Sequence, residues 1–338
     1  MITLSADALG NGVLAVHNAP YTIHNALNTI IRKFFICSFF LQKYFFFCIF
    51  QNKALSLSQI IIFFYMKHFK SFFLTALLVV LLQACKTDDT IRVLCIGNSF
   101  SWDAVEQELA PLCEAGDQPI IIGDLYYGGC SLEQHHTFLL QDTGVYHFRY
   151  IENGVLTDTK KYSLRQALQL MQWDYISFQQ ASHDSGIQST YEPYLSALID
   201  SVRAYQPQAK LCWMQTWSYS QDAKHPQFPR YQKNQQIMDD SIHSALLALL
   251  ERHPELHLIP CGKAISFARQ TKLGDTLCRD GYHLNYEYGR YTASCVWYEF
   301  LTGKNCKRNK YMNPQMTEEQ KKLTQKSAHK AIKWAKRL

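Results

Sequence analysis

The chain has 338 residues, 47% of them hydrophobic, and a formal net charge of +6. This length and apolar content exclude a disordered or fibrous protein and leave ample material for a packed core. The positive charge is concentrated at the start. Residues 1–84 hold six of the 34 Lys and Arg but only one of the 28 Asp and Glu. Residues 85–338 therefore carry 28 basic and 27 acidic residues, which nearly balance. Net charge therefore gives no indication of a nucleic-acid-binding protein.

The segment that begins at Met66 predicts export. A basic stretch, Lys67–Lys70, is followed by the uncharged run Ser71–Leu82 and then by Gln83-Ala84-Cys85. A positive start, an apolar core of about 7–15 residues and a small residue before the cut are the parts of a secretory signal peptide. Leu82-Gln83-Ala84-Cys85 resembles the lipobox of bacterial lipoproteins, in which Cys85 would be lipidated and become the mature N-terminus. A membrane-spanning helix is the alternative, but the run is shorter than the roughly 20 residues that a span needs.

Residues 1–65 do not fit this organisation, because they carry a second apolar and aromatic run, Phe34–Phe50. We expect Met66 to be the true start and residues 1–65 to be an over-extended reading frame or a disordered segment. The expected order is then a signal peptide over 66–84, a tether over 85–90, a domain over 91–303 and a basic C-terminal helix over 304–338. The expected location is the cell envelope, with a lipid anchor at Cys85, on either the periplasmic face or the outer surface.

From residue 91 onward, apolar strand-like runs alternate with helical patterns, which indicates a parallel sheet covered by helices. The predicted strands are 91–97, 119–125, 174–179, 209–215 and 256–259. The predicted helices are 103–114, 191–205, 232–251, 286–301 and 317–338. The predicted architecture is a three-layer α/β/α fold with a five-stranded parallel sheet.

Two stretches depart from this alternation. Residues 146–162 read as an inserted hairpin that turns at Asn153-Gly154, a strong turn signal between β-prone flanks. Trp217–Tyr231 is polar, contains two prolines, and predicts a long loop beside the carboxyl edge of the sheet. Long loops at such an edge are often functional.

Two short segments carry the residues for covalent chemistry. Gly97-Asn98-Ser99-Phe100 ends the first predicted strand, where nucleophiles and ligands collect in open α/β sheets. Asp280-Gly281-Tyr282-His283 lies near the C-terminus, with the carboxylate three residues before the imidazole. Asp280 could hold His283 in one tautomer while the other ring nitrogen takes a proton from Ser99. Together they predict an acyl-transfer enzyme with Ser99 as nucleophile.

The two segments resemble motifs of the SGNH hydrolases, the GDSL-like esterases and lipases. Gly97-Asn98-Ser99 matches the family's Gly-Asp-Ser, with Asn98 for the usual acid, and Asp280 to His283 matches its Asp-x-x-His. The resemblance covers about residues 91–303 and is strongest to an uncharacterised branch of exported lipoproteins. It implies a flavodoxin-like sheet, a catalytic triad of Ser99, His283 and Asp280, and no metal or organic cofactor.

The same resemblance implies an oxyanion hole made by three groups. Two are the backbone N–H groups of Ser99 and of Gly129, which follows the second strand within Tyr127-Gly128-Gly129-Cys130. The family's third donor is an Asn after the third strand, where this chain has Gln179-Gln180 instead. Gln179 is the candidate, because Gln carries the same amide on a longer arm, and Gln180 is the alternative.

Two further residues are candidates for substrate contact, and the cysteines are not expected to bind metal. Trp217, beyond the fourth strand, could stack on a sugar ring, and His135 could flank the pocket. The chain has 11 cysteines but no Cys-x-x-Cys pair, so no zinc site is expected. Cys278 and Cys306 are the candidates for a disulfide.

The leading prediction is an exported serine esterase that removes a small acyl group, most plausibly acetyl, from a carbohydrate. A lipase or thioesterase for longer acyl chains is one alternative. A non-catalytic lipoprotein that holds glycans in the cleft is the other.

Overall fold

The computed structural model of the protein describes residues 88–338, together with Lys43. The predictions for residues 1–65, for the signal peptide over 66–84 and for lipidation at Cys85 lie outside the described residues. Residues Asp88–Leu338 make up one unit by their contacts. In the order of the chain its strands are β1 Ile91–Gly97, β2 Ile120–Tyr126, β3 Tyr146–Glu152, β4 Val155–Tyr162, β5 Tyr175–Phe178, β6 Lys210–Met214 and β7 His257–Ile259.

Helices connect and cover these strands. From residue 88 onward they are α1 Ser99–Val105, α2 Leu109–Ala115, α3 Leu132–Gln141, α4 Leu164–Leu170, α5 Tyr194–Tyr205, α6 Gln235–Arg252, α7 Cys261–Arg269, α8 Gly289–Thr302 and α9 Glu318–Ala335. Two helices, α1 and α2, stand where one helix was predicted over 103–114. Helix α1 begins at Ser99, earlier than predicted, because Asn98 caps it there. The predicted loop over 217–231 contains one short 3₁₀ turn, Phe228–Tyr231.

The sheet has seven strands in the order β4-β3-β2-β1-β5-β6-β7, rather than the five predicted. All five predicted strands are present and run parallel to one another. The extra two are the arms of the predicted hairpin, whose turn residues Asn153 and Gly154 both have positive φ. The hairpin adds antiparallel to β2, with Asp124 opposite Arg149. The predicted hairpin is therefore present, but it extends the main sheet, so the predicted number of five strands was wrong.

Apolar residues fill both faces of the sheet, which gives the predicted three layers. One core, under α1, α2, α7, α8 and α9, includes Val93, Phe100 and Val296. The other, under α3, α4 and α5, includes Leu94, Leu132 and Leu198. Helix α6 contributes to both.

The C-terminal helix α9 belongs to the first of these layers. Ala328 and Ala331 on its inner face are fully buried, and Gln325 donates to the hydroxyl of Tyr291 on α8 at 2.9 Å. Its lysines, such as Lys322 and Lys326, are exposed. The basic charge therefore lies on a solvated face, and residues 304–317 form a connection rather than part of the helix. Within the described part of the chain, none of the helices combines the length and the hydropathy that a membrane crossing requires.

Candidate active site

The nucleophile candidate Ser99 is held at the tip of β1 by its neighbours. Asn98 Oδ1 accepts the backbone N–H of Phe100 at 3.0 Å, which caps α1. Asn98 Nδ2 donates to the carbonyl of Cys130 at 3.0 Å and so ties the turn to the loop after β2. A Cβ on Gly97 would come within 2.4 Å of Ser101 Oγ, so only glycine fits there. Ser99 is thus the first residue of a helix, at the carboxyl edge of the sheet.

The three predicted catalytic residues meet in one hydrogen-bonded relay. Ser99 Oγ lies 2.9 Å from His283 Nε2, and His283 Nδ1 lies 2.6 Å from Asp280 Oδ2. The second carboxylate oxygen of Asp280 accepts the backbone N–H groups of Tyr282 and His283. Burial raises the pKa of Asp280, but the hydrogen bonds from His283 and Tyr282 outweigh it and hold the pKa below its usual value. Asp280 is therefore an ionised acceptor that fixes the tautomer of His283.

A buried carboxylate joins the nucleophile helix to the segment that carries the base. Asp103 on α1 accepts the backbone N–H of Leu284, next to His283, at 2.7 Å. It also forms ion pairs with Arg279 at 3.1 Å and with Arg290 on α8 at 2.7 Å. Asp103 is fully buried, so these contacts compensate its charge. They set the separation between Ser99 and His283.

Trp217 was predicted to contact substrate, and its position in the structure does not fit that prediction. Its side chain is fully buried. The indole stacks on Phe100 at 4.2 Å between ring centroids, and its Nε1 donates to the carbonyl of Tyr282 at 2.8 Å. The prediction was based on the position of this aromatic residue just beyond the fourth strand. The residue instead packs between the nucleophile helix and the base segment.

His135 is likewise buried, and its predicted role at the pocket was wrong. The ring lies on the inner face of α3, with Nδ1 2.8 Å from the hydroxyl of Tyr146. Burial lowers the pKa of His135 to about 3. A neutral imidazole stacked on a buried tyrosine is part of the core under α3. The two candidates for a disulfide, Cys278 and Cys306, are both free thiols.

Two of the three predicted oxyanion donors have free N–H groups. Gly129 has φ +66 and is exposed, and a Cβ there would meet nothing. No hydrogen bond joins the backbone N–H of Gly129 or of Ser99 to another residue of the described chain. The bond from Asn98 to Cys130 holds the two loops together. A helix N-terminus and a positive-φ glycine are both suited to binding a developing negative charge.

The third predicted donor, Gln179, contacts the nucleophile turn directly. Its Nε2 donates to Asn98 Oδ1 at 2.6 Å, which leaves one N–H of that amide. The alternative, Gln180, is fully committed elsewhere: its Nε2 donates to the carbonyl of Thr190, and its Oε1 accepts the backbone N–H of Leu132. Of the two glutamines, only Gln179 lies beside the turn that carries Ser99.

Three partly exposed rings that the sequence analysis did not select lie beside His283. We call Tyr282, His225 and His183 the ring wall. Tyr282 is 4.3 Å from His283 between centroids, His225 is 4.9 Å from Tyr282, and His183 stacks on His225 at 6.2 Å. Tyr282 could have been selected from the sequence, because it directly precedes His283. No pattern in the sequence predicts that His225 lies beside Tyr282.

The histidine of the ring wall that contacts Tyr282 is His225, and its environment favours the neutral ring. Burial, with smaller effects of the neighbouring His183 and His283, lowers the pKa of His225. Its Nδ1 accepts the backbone N–H of Gln227 at 3.2 Å, so the proton of the neutral ring sits on Nε2. His225 thus offers a neutral donor. Among residues 88–338, no group of three or more His, Cys, Asp or Glu side chains is arranged to hold a metal ion.

Comparison with known sequences places the chain in a family. The sequence model of the family DUF4886, described as a domain of unknown function, matches residues 92–331. The chain belongs to the DUF4886 family. A crystal structure of a DUF4886 family protein from Bacteroides uniformis is 42% identical, with a TM-score of 0.71, and the match covers 73% of this chain and 96% of that one. The comparison with curated proteins found no match.

More distant solved structures include SGNH hydrolases. One, assigned to the SGNH hydrolases, from Slackia heliotrinireducens, is 20% identical with a TM-score of 0.43, and the match covers 62% of this chain and 98% of that one. The acetyl xylan esterase AlAXEase is 13% identical with a TM-score of 0.41, over 61% of this chain and 98% of that one. At these scores neither similarity bears on the activity of the DUF4886 chain. The α/β/α fold is as predicted, with a sheet of seven strands rather than five.

Proposed function

We propose that this DUF4886 protein is a serine esterase of the SGNH type. The observation that carries the proposal is the relay from Ser99 Oγ through both ring nitrogens of His283 to Asp280, with contacts of 2.9 and 2.6 Å. A serine with a purely structural role would not need an imidazole and a carboxylate aligned behind its hydroxyl group. Nucleophile, base and orienting carboxylate within hydrogen-bond reach are the arrangement that activates a hydroxyl for acyl transfer.

The chemistry requires only groups that the chain supplies. Ser99 Oγ attacks the ester carbonyl carbon while its proton passes to His283 Nε2. The carbonyl oxygen becomes an oxyanion, held by the N–H groups of Ser99 and Gly129 and the remaining amide N–H of Gln179. The intermediate collapses, the C–O bond to the alcohol breaks, and His283 returns the proton to the departing oxygen. Water then attacks the acyl-serine with His283 again as base, which releases the acid and restores Ser99.

We propose a small acyl group, acetyl, on a carbohydrate as the substrate. The ring wall supports this, because aromatic faces and the neutral Nε2–H of His225 suit a sugar ring and its hydroxyl groups. In the same proposal the protein is exported and anchored by a lipid on Cys85, at the periplasmic face or the outer surface of the cell envelope. No nucleic acid is expected as a partner.

The test of the reaction is hydrolysis of 4-nitrophenyl acetate by the wild type and by Ser99→Ala. We expect the variant to lose at least about 10³-fold in kcat, since the acyl-enzyme cannot form. Ser189→Ala is the matched control, because Ser189 is exposed and contacts no member of the triad. Equal activity of the wild type and Ser99→Ala would refute the esterase. Binding of glycans without turnover on a broad panel of esters would support the non-catalytic alternative instead.

A series of 4-nitrophenyl esters of rising chain length tests the acyl group. We expect kcat/KM to be highest for acetate and to fall with each added pair of methylenes. His225→Ala should raise KM for an acetylated sugar several-fold and leave KM for 4-nitrophenyl acetate within about twofold, because the small ester has no sugar ring to contact the wall. A preference for esters of eight carbons or more would instead favour the lipase or thioesterase alternative.

A further inference from the structure

A buried carboxylate behind the nucleophile turn has a hydrogen-bonding pattern that fixes its protonation. Asp124 on β2 is almost fully buried, and its Oδ1 lies 2.7 Å from Ser101 Oγ. The same Ser101 Oγ lies 2.8 Å from the carbonyl oxygen of Asn98. That carbonyl also accepts the backbone N–H of Trp102. The hydroxyl oxygen of Ser101 therefore lies within hydrogen-bond distance of two oxygen atoms, one on Asp124 and one on Asn98.

Counting hydrogens decides which groups donate. A serine hydroxyl has one hydrogen, and a carbonyl has none to give. If Ser101 donates to Asn98, the contact with Asp124 is a hydrogen bond only when Asp124 carries a proton and donates it to Ser101 Oγ. If Asp124 were ionised, it would take the hydroxyl hydrogen, and two acceptor oxygens, Ser101 Oγ and the carbonyl of Asn98, would face each other at 2.8 Å. Only the protonated form satisfies both contacts.

The charges that face Asp124 do not favour its ionised form. Arg149 lies opposite it on β3, but its guanidinium is bound to Glu106, at the end of α1, and to Asp158 on β4. Glu106 repels a second negative charge, and Cys95 on β1 and Tyr126 on β2 are both neutral because burial raises their pKa. The second oxygen, Asp124 Oδ2, is buried without a partner. Burial raises the pKa of Asp124 to about 8.

We propose that Asp124 is a positioning residue that works in its protonated form: through Ser101 it holds the carbonyl of Asn98, and thereby the Asn98–Ser99 peptide whose N–H serves the oxyanion hole. This inference rests on the esterase activity proposed above. A hydrogen bond to the carbonyl of a peptide polarises the N–H on its other side, so the chain Asp124–Ser101–Asn98 both orients and strengthens that donor. Ionisation of Asp124 withdraws the hydrogen of Ser101 and breaks the chain.

The pH dependence of kcat distinguishes this role from a structural one. For the wild type with 4-nitrophenyl acetate, corrected for Ser99→Ala, we expect kcat to fall about tenfold or more between about pH 7 and about pH 9.5, with KM nearly constant. Asp124→Asn keeps a neutral donor that cannot ionise. We expect its kcat at neutral pH within about threefold of the wild type, without the alkaline decrease. Asp200→Asn, an exposed acid on α5, is the matched control and should keep the wild-type profile.

Two further measurements complete the test. Ser101→Ala cuts the chain, so we expect a lower kcat at all pH values, an unchanged KM and no alkaline decrease. The infrared difference spectrum between the wild type and Asp124→Asn, in which bands of the other buried acids cancel, should show the carbonyl stretch of a protonated carboxylic acid at neutral pH and lose it at alkaline pH. This band reports on Asp124 whether or not the protein is an esterase.

Several results would overturn the inference. They are an alkaline decrease that persists in Asp124→Asn, a profile for Ser101→Ala that matches the wild type, or no carboxylic acid band in the difference spectrum. A wild type that shows the band but hydrolyses no ester would refute the proposed function and the positioning role with it. Asp124 would then be a protonated group with a structural role. That outcome differs from a failure of the protonation assignment, in which the band itself would be missing.

Discussion

Asp280 and His283 show how much of a catalytic site a local stretch of chain can hold. Three residues apart, they form an Asx turn in which one carboxylate oxygen takes the backbone N–H groups of Tyr282 and His283, and the other takes His283 Nδ1. The carboxylate therefore fixes both the backbone and the ring. The spacing in the sequence was sufficient to predict the contact between Asp280 and His283, because every hydrogen bond in it is local.

The role of Asp280 leads to a prediction for Asp280→Asn. An amide at this position no longer holds the ring in the tautomer that leaves Nε2 free to accept the proton of Ser99. We expect kcat for 4-nitrophenyl acetate to fall about 10³- to 10⁴-fold with KM within about threefold. Asp222→Asn, at an exposed acid, should retain wild-type kinetics. A loss in KM alone would mean that Asp280 binds substrate rather than orienting the base.

Trp217 marks the limit of such local reasoning. Its partners, Phe100 and the carbonyl of Tyr282, are far from it in the sequence, so no pattern within the loop could reveal that it is buried. The residue was predicted to bind substrate because it is an aromatic residue beyond the fourth strand, at the edge of the sheet where a sugar ring could stack on it. The polar residues from Gln221 to Gln227 lie mostly on the surface, while Trp217 and the other aromatic residues of the loop, Tyr219, Phe228 and Tyr231, are buried.

A stability measurement separates the two roles of Trp217. Removal of a buried indole leaves a cavity, so we expect Trp217→Ala to lower the free energy of unfolding by about 3–5 kcal/mol. Leu140→Ala, at an exposed apolar residue, should change it by less than about 0.5 kcal/mol. Chemical denaturation of the three proteins gives both values. Unchanged stability together with a raised KM would show that Trp217 acts at the surface after all.

At the scale of elements, Asp103 joins three separate parts of the chain. It lies on α1 and binds Arg290 of α8 and both Arg279 and the backbone of Leu284 in the base segment. The nucleophile and the base are thus fixed relative to each other by one buried carboxylate. Arg290 is itself buried, so its charge depends on this partner.

Removal of Asp103 should therefore affect both stability and rate. We expect Asp103→Ala to destabilise the fold by about 3–5 kcal/mol, because it leaves a buried guanidinium without a partner. We also expect a fall in kcat, as the Ser99–His283 contact loosens. Glu319→Ala removes the partner of Lys272 in an exposed pair and should cost less than about 1 kcal/mol. Equal effects of the two substitutions would contradict the joining role of Asp103.

The elements themselves were largely predictable, whereas their pairing was not. Alternating apolar runs predicted the five parallel strands, and Asn153-Gly154 predicted the hairpin turn, because both signals are local. The docking of the hairpin on β2 sets Asp124 opposite Arg149, residues from different segments. Likewise, the motif predicted Ser99, but the contact of Gln179 with Asn98 depends on β5 lying beside β1. The sequence did not show which distant segments lie side by side in the sheet, or which of their residues face each other.

For the whole molecule, two acids with shifted pKa values, the exposed Asp280 and the buried Asp124, give stability a pH dependence of definite sign. Asp280 has a lowered pKa, so its contribution is present above the pKa of an unfolded aspartate, about 3.9, and is lost only as the pH falls further. Asp124 has a raised pKa of about 8, so the folded protein keeps a proton that the unfolded chain has released. Its contribution is complete below about pH 4, falls as the pH rises, and is lost once the pH passes about 8.

The difference between the wild type and Asp124→Asn isolates this effect, because all other titrating groups are common to both. We expect the free energy of unfolding of Asp124→Asn, relative to the wild type, to rise between about pH 4 and about pH 8 by a few kcal/mol and to level off above. Urea denaturation at intervals of pH measures it, and Asp200→Asn should show a constant difference. A difference for Asp124→Asn that also stays constant would mean that Asp124 is ionised in the folded protein. Because that measurement needs no substrate, it tests the hydrogen count at Ser101 independently of catalysis.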